Sequence, residues 1–171
     1  MRTVLKIDGS LLSEIRFDLS RPHPFAYERV GFLRAGAAST PGGLLLTVRD
    51  YAPVDDADYE YAPGVGAKIG SNAMRKAVQS AYRPAAALLH VHTHGGRGRP
   101  AFSNVDLKSA QEFVPGFFES TPRMPHGLLV LSDNSASGLI WLDPAKAAVP
   151  VNSFVSIGAP VMRDWGNHGM A

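Results

Sequence analysis

The sequence contains no cysteine. That absence excludes disulfides, a thiolate nucleophile and every zinc site built on sulfur, so any metal must be held by histidine and carboxylate. No stretch approaches the roughly 20 consecutive apolar residues that a membrane helix requires. The segment Met1 to Asp8 carries no signal-like apolar run, so a cytoplasmic protein with no membrane partner is expected. Charge of one sign is scarce as well, with 17 Lys plus Arg against 15 Asp plus Glu. The densest basic stretch, Gly95-Gly96-Arg97-Gly98-Arg99, lacks interleaved aromatics, and nucleic-acid binding is not expected. Internal repeats, heptads and low-complexity tracts are missing too.

What is present suits one soluble globular domain: 171 residues, 45% of them apolar and 19% charged. Residues 3–7 alternate as a strand, while 10–18 fit a short helix or an extended piece equally well. Residues 28–35 read as a strand paired antiparallel with 44–51 across a turn at 39–43, and 59–61 as a short edge strand. Apolar residues recur at helical spacing over about 65–82, ended by Arg83-Pro84. The continuous apolar run 86–91 has the character of a buried central strand and leads directly into His-Val-His-Thr-His. Ser103 opens a second helix to about 118. Residues 126–132 and 137–142 form a hairpin pattern, 153–157 one more strand, and 165–171 a frayed end. The sum is an α/β fold in α+β style, a mixed and largely antiparallel sheet flanked by helices.

His92 and His94 lie two apart at the end of the central strand, where period-two geometry turns both imidazoles to one face. Asp106 falls in the first turn of the following helix, a position that favours a carboxylate. Two imidazoles and one carboxylate leave zinc a fourth tetrahedral place for water, the arrangement of a catalytic site. His90 extends the alternation, so period two alone permits a different pair of histidines. His23, His126 and His168 have no spaced partners and read as surface or turn residues. Tyr51, Tyr59 and Tyr61 read as strand packing, and Asp55, Asp56 and Asp58 as a polar connection without the glycine and glutamate of a calcium loop.

Taken in order, Glu28 in Glu-Arg-Val-Gly-Phe-Leu-Arg-Ala-Gly, then His92-Thr93-His94, then Ser103-Asn104-Val105-Asp106, the sequence resembles the JAMM metallopeptidases, also called MPN+ or JAB. The resemblance spans roughly residues 1–143 as one domain, with 144–171 as a carboxy-terminal extension packing on it or trailing from it. It implies an MPN/JAB-like, cytidine-deaminase-like fold and one zinc ion with a bound water, held by His92, His94 and Asp106. It further implies Glu28 as general acid/base and Ser103 as donor to the carbonyl oxygen in the tetrahedral intermediate. On the motif spacing His92 is preferred to His90, which becomes a supporting or core residue. Two positions depart from the pattern: Gly95 replaces the usual proline after the second histidine, and the 11 residues between His94 and Asp106 are one more than is customary.

The activity implied is hydrolysis of a peptide or isopeptide bond after the C-terminus of a ubiquitin-like protein, in precursor processing or deconjugation. Compact prokaryotic members accompany bacterial ubiquitin-like conjugation systems, including antiviral ones. The expected partners are therefore a ubiquitin-like protein or its conjugates, with E1- and E2-like enzymes of the same pathway. The alternatives are a peptidase acting on a sulfur-carrier protein and an inactive scaffold of the same fold that binds without cutting.

Overall fold

The structure, a computed structural model, describes residues 1–24, 26–158 and the backbone of 163–166. Among these residues the strands are β1 (Arg2–Asp8), β2 (Val30–Thr40), β3 (Gly43–Pro53), β4 (Ala87–Thr93), β5 (His126–Leu131), β6 (Ala136–Trp141), β7 (Val149–Pro150), β8 (Ser153–Ile157) and β9 (Arg163–Gly166). They join one mixed sheet in the order β7-β6-β5-β4-β2-β3-β1-β8-β9. Three helices accompany it: α1 (Gly9–Leu19), α2 (Ser71–Tyr82) and α3 (Asn104–Ser120). The mixed α/β class expected from the sequence is what the chain adopts. Residues beyond 143 take part in it, since β8 pairs parallel to β1 and β7 antiparallel to β6.

Alternation along the central strands sorts side chains into two cores. Leu33, Leu89 and Leu129 turn to the face covered by Leu12 and Ile15 of α1. Phe32, Leu88 and Leu128 turn to the opposite face, under Ala77 of α2 and Phe117 of α3. A strand covered on both faces needs apolar residues at every position. That is why 86–91 shows no polar alternation and why β5 is buried throughout.

Capping residues set the helix starts. Asp8 accepts from the Ser10 and Leu11 amides, which settles residues 10–18 as a helix. Ser103 and Asp106 form a full capping box at α3, an arrangement worth about 1 kcal/mol. The helix expected over 65–82 begins only at Ser71, because Gly64, Gly66 and Gly70 break the pattern that Val65 and Ile69 seemed to start. Residues 59–61 make no strand, only a bridge from Tyr59 to Ile69. The β2–β3 turn is tighter than expected, leaving only Pro41 and Gly42 between the strands. Of the frayed end foreseen at 165–171, Trp165 and Gly166 belong to β9, and the rest lies outside the described residues.

Candidate metal centre

The register of β2 on β4 brings Glu28 to the histidines. The two strands are antiparallel with Val30 opposite His92, so two residues further out Glu28 comes level with His94. Glu28 therefore precedes β2 and does not begin it, as the sequence reading had it. The loop after β4 carries the chain back to the same edge before α3 starts. It is pinned to the β5–β6 turn by Gly98 N–H to Asn134 Oδ1 (2.7 Å) and Ser132 Oγ–H to the Gly98 carbonyl (2.7 Å). Gly95, Gly96 and Gly98 all have positive φ, and this left-handed run accommodates the extra residue between His94 and Asp106.

His92 Nε2 lies 3.1 Å from His94 Nε2. Asp106 bridges them, with Oδ1 3.2 Å from His92 Nε2 and Oδ2 3.3 Å from His94 Nε2. Donor atoms about 2.0–2.1 Å from a shared tetrahedral zinc are separated by about 3.3 Å, close to the His92–His94 separation and to that from each imidazole to its own nearer oxygen of Asp106. Hydrogen bonding accounts for them less well. If each ring donates to one carboxylate oxygen, the two Nε2–H groups face each other at 3.1 Å without an acceptor. If one ring donates to the other, a carboxylate contact goes unmade. A cation between the three groups would give both facing imidazole nitrogens and the carboxylate a shared partner, so the donor set fits a divalent ion such as zinc.

Asp106 is held in place by its own helix start. The Ser103 amide donates to Asp106 Oδ2 (2.7 Å), and the Asp106 amide donates to Ser103 Oγ (3.1 Å). Burial alone would raise the Asp106 carboxyl. The hydrogen bond and charge of His92, then the hydrogen bonds of Ser103, outweigh burial and hold it well below the usual carboxylate range. It is thus an anion at neutral pH. Ser103 Oγ accepts from the backbone through a lone pair and keeps a hydroxyl hydrogen to donate outward.

Glu28, His92 and His94 also form a group whose donor atoms all lie within 4.8 Å of one another. That makes Glu28 a candidate ligand in its own right as well as a carboxylate beside the His92–His94–Asp106 cluster. Its seat is the loop before α2. The Tyr27 and Glu28 amides both donate to the Gly66 carbonyl (2.8 and 2.9 Å), and the Glu28 carboxylate lies where a Cβ on residue 66 would have to go.

His90 lies beneath the site against Phe113 (ring centroids 5.1 Å), with its edge toward Phe32 (5.5 Å). Burial, then the neighbouring His92, push its imidazole down to about 3, leaving a neutral aromatic plug. The buried Nδ1 atoms of His90 and His92 have no hydrogen-bond partner among the described residues. Of the histidines read as surface or turn residues, His126 is fully buried in β5, while His23 lies in the irregular stretch between α1 and β2 with its side chain only 1% exposed. His23 stacks on Tyr59 at 4.2 Å. His126 Nδ1 accepts from the Leu88 amide (3.1 Å), and Nε2–H donates to the Thr121 carbonyl (3.1 Å). His168 lies outside the described residues.

Two clefts meet at the site. One, about 800 Å³, opens between α2 and α3, and the other, about 640 Å³, lies beside α1. Glu28 and His94 line both. Neither the Gly66 seat nor these clefts was foreseen from the sequence. The glycines at 64, 66 and 70 were the available signal, masked by the apolar residues among them.

No family model and no curated protein matches the chain. Among solved structures, the STIL N-terminal domain of Trichoplax adhaerens is similar at a TM-score of 0.40 and 7% identity, covering 80% of this chain. This chain spans 41% of that one, and a likeness of this degree carries no argument about fold or activity. None of the described helices is long and apolar enough to cross a membrane.

Proposed function

We propose that the chain is a zinc-dependent peptidase or isopeptidase of the JAMM type, with an MPN-like fold, acting after the C-terminus of a ubiquitin-like protein. The observation that carries the reading is the approach of His92 Nε2, His94 Nε2 and the Asp106 carboxylate to 3.1–3.3 Å, with Glu28 beside them. These three residues would hold the metal. Bound zinc supplies Lewis acidity and lowers the pKa of water to about 7.

The chain's own residues do the rest. Glu28 accepts the proton of the attacking water and returns it to the leaving amine, the work of a carboxylate near the metal but not bound to it. Ser103 donates its hydroxyl hydrogen to the scissile carbonyl oxygen as negative charge develops there, an interaction typically worth about 3 kcal/mol in such roles. His90 and its aromatic neighbours give the cleft an apolar floor beside the site. The resemblance implies precursor processing or deconjugation in a bacterial ubiquitin-like, antivirus-directed pathway, with E1- and E2-like partners and a cytoplasmic setting.

The test is Glu28→Gln in zinc-loaded protein, assayed on a fusion carrying a ubiquitin-like C-terminus. Zinc stoichiometry should be unchanged and cleavage lost by on the order of a thousandfold or more. Cleavage at the native rate would reject Glu28 as the acid/base.

A further inference from the structure

The α2–α3 cleft is larger than hydrolysis requires. It runs along α3 from Val105 to Glu119, a span of roughly 21 Å at the helical rise. Its walls are predominantly apolar: Val30 and Leu128 on the sheet, Met74 and Val78 on α2, Phe113 and Phe117 on α3. Volumes of this size with apolar walls and a few polar groups at one end belong to ligand sites. The polar groups here are those of the metal centre at one end, with Lys68, Arg75, Glu112 and Glu119 farther along. The second cleft differs in character, carrying the half-buried cation Arg16, Asp133 and the exposed aromatics Phe17 and Tyr27. A substrate chain crossing Glu28 and His94 would therefore place the two sides of the cut bond in unlike surroundings.

Gly116 is a second, independent observation. A glycine inside a helix is a poorer choice than alanine. At this position a Cβ would meet nothing within 4 Å, so no packing neighbour demands the glycine. Its missing side chain leaves the cleft wide where it passes α3.

We propose that the α2–α3 cleft is a subsite for a bulky apolar side chain, aromatic or leucine-like, on the substrate residue next to the bond cut at the metal centre. The proposal rests on the peptidase reading for its scissile bond, though the cleft's preference can be measured without it. Glycine would leave this subsite empty, so the preferred substrate carries such a residue beside the cut rather than glycine on both sides.

The test has two arms. In the first, zinc-free protein labelled at its methionine methyls is titrated with N-acetyl-phenylalaninamide, N-acetyl-leucinamide and N-acetyl-glycinamide, and the Met74 resonance is followed by NMR. The first two should shift it saturably and the third should not, and Gly116→Leu, which fills the cleft, should abolish the difference. In the second arm, zinc-loaded protein is titrated calorimetrically with phenylalanine hydroxamate and glycine hydroxamate. The phenylalanine compound should bind on the order of tenfold or more tightly, with that ratio collapsing toward one in Gly116→Leu. Equal response to the glycine and apolar probes, or a preference untouched by Gly116→Leu, overturns the subsite. Selective Met74 shifts in a protein that binds no zinc uphold the cleft's preference and overturn the peptidase reading.

Discussion

Replacing Gly66 by alanine would put a methyl carbon 2.5 Å from Glu28 Oε2, 2.8 Å from Cδ and 3.2 Å from Oε1. Ordinary contact requires the carboxylate to retreat by about 0.9 Å. The backbone of residue 66 has little freedom to yield instead, because its carbonyl holds the Tyr27 and Glu28 amides at 2.8 and 2.9 Å. The carboxylate is the far end of a flexible side chain and moves readily, so the fold should tolerate the change, with a melting shift of only a few degrees. Function should not. A misplacement of about 1 Å in a catalytic group can cost on the order of a hundredfold in rate. Gly66→Ala should therefore lower kcat by about that factor while leaving the zinc dissociation constant unaltered, since the three atoms nearest the new methyl all belong to Glu28. Rate and metal affinity are measured on the same preparation, by peptide hydrolysis and by competition with a chromogenic chelator. A loss of zinc affinity would show that Glu28 is a ligand rather than the acid/base, and an unchanged kcat would refute its positioning by Gly66.

Asp106→Ala should abolish stoichiometric zinc by elemental analysis, because among the described residues it removes the carboxylate with an oxygen within 3.3 Å of each imidazole. Saturating zinc at about 1,000 times its dissociation constant should stabilise the native chain by roughly 4 kcal/mol, read as a melting increase of about 8–16 °C that a chelator reverses. Ser103→Ala removes both a helix cap and the proposed carbonyl donor. It should cost about 1 kcal/mol of stability in denaturant titration and about a hundredfold in kcat, whereas loss of stability alone would leave the donor role unsupported. His126→Ala should destabilise by roughly 2–4 kcal/mol, combining a cavity with two unpaired buried groups. Burial lowers the His126 imidazole in the folded chain from its ordinary 6.5, so its stabilising contribution is whole above that value and lost as pH falls toward the folded value. Wild-type stability should accordingly decline more steeply than that of His126→Ala below about pH 6.5, and parallel acid profiles would contradict the neutral buried tautomer.

Much of the secondary structure was legible because it depends on local spacing. A period-two run identified β1, a continuous apolar run β4, and two apolar arms around a turn the β5–β6 hairpin, while Ser103 with Asp106 marked the start of α3. The misreadings have physical causes. Val65 and Ile69 mimic helix spacing although three glycines surround them, and their real task is to wall the site. His126 looked like a surface or turn residue because the group that satisfies it, the Leu88 amide, is distant in sequence.

For the candidate site the division is sharper. Residue types and spacing along 92–106 determined that two imidazoles and a carboxylate lie near one another, because a strand of period two and a capped helix are local objects. Only tertiary structure decided which groups meet. The antiparallel register of β2 on β4 sets Glu28 level with His94, the Gly66 loop seats its carboxylate, and the separation of α2 from α3 leaves the cleft beside it. Those outcomes follow from how the two faces of one sheet are covered. Pairing register and helix spacing are set by the packing of residues far apart in the chain, which no local periodicity encodes.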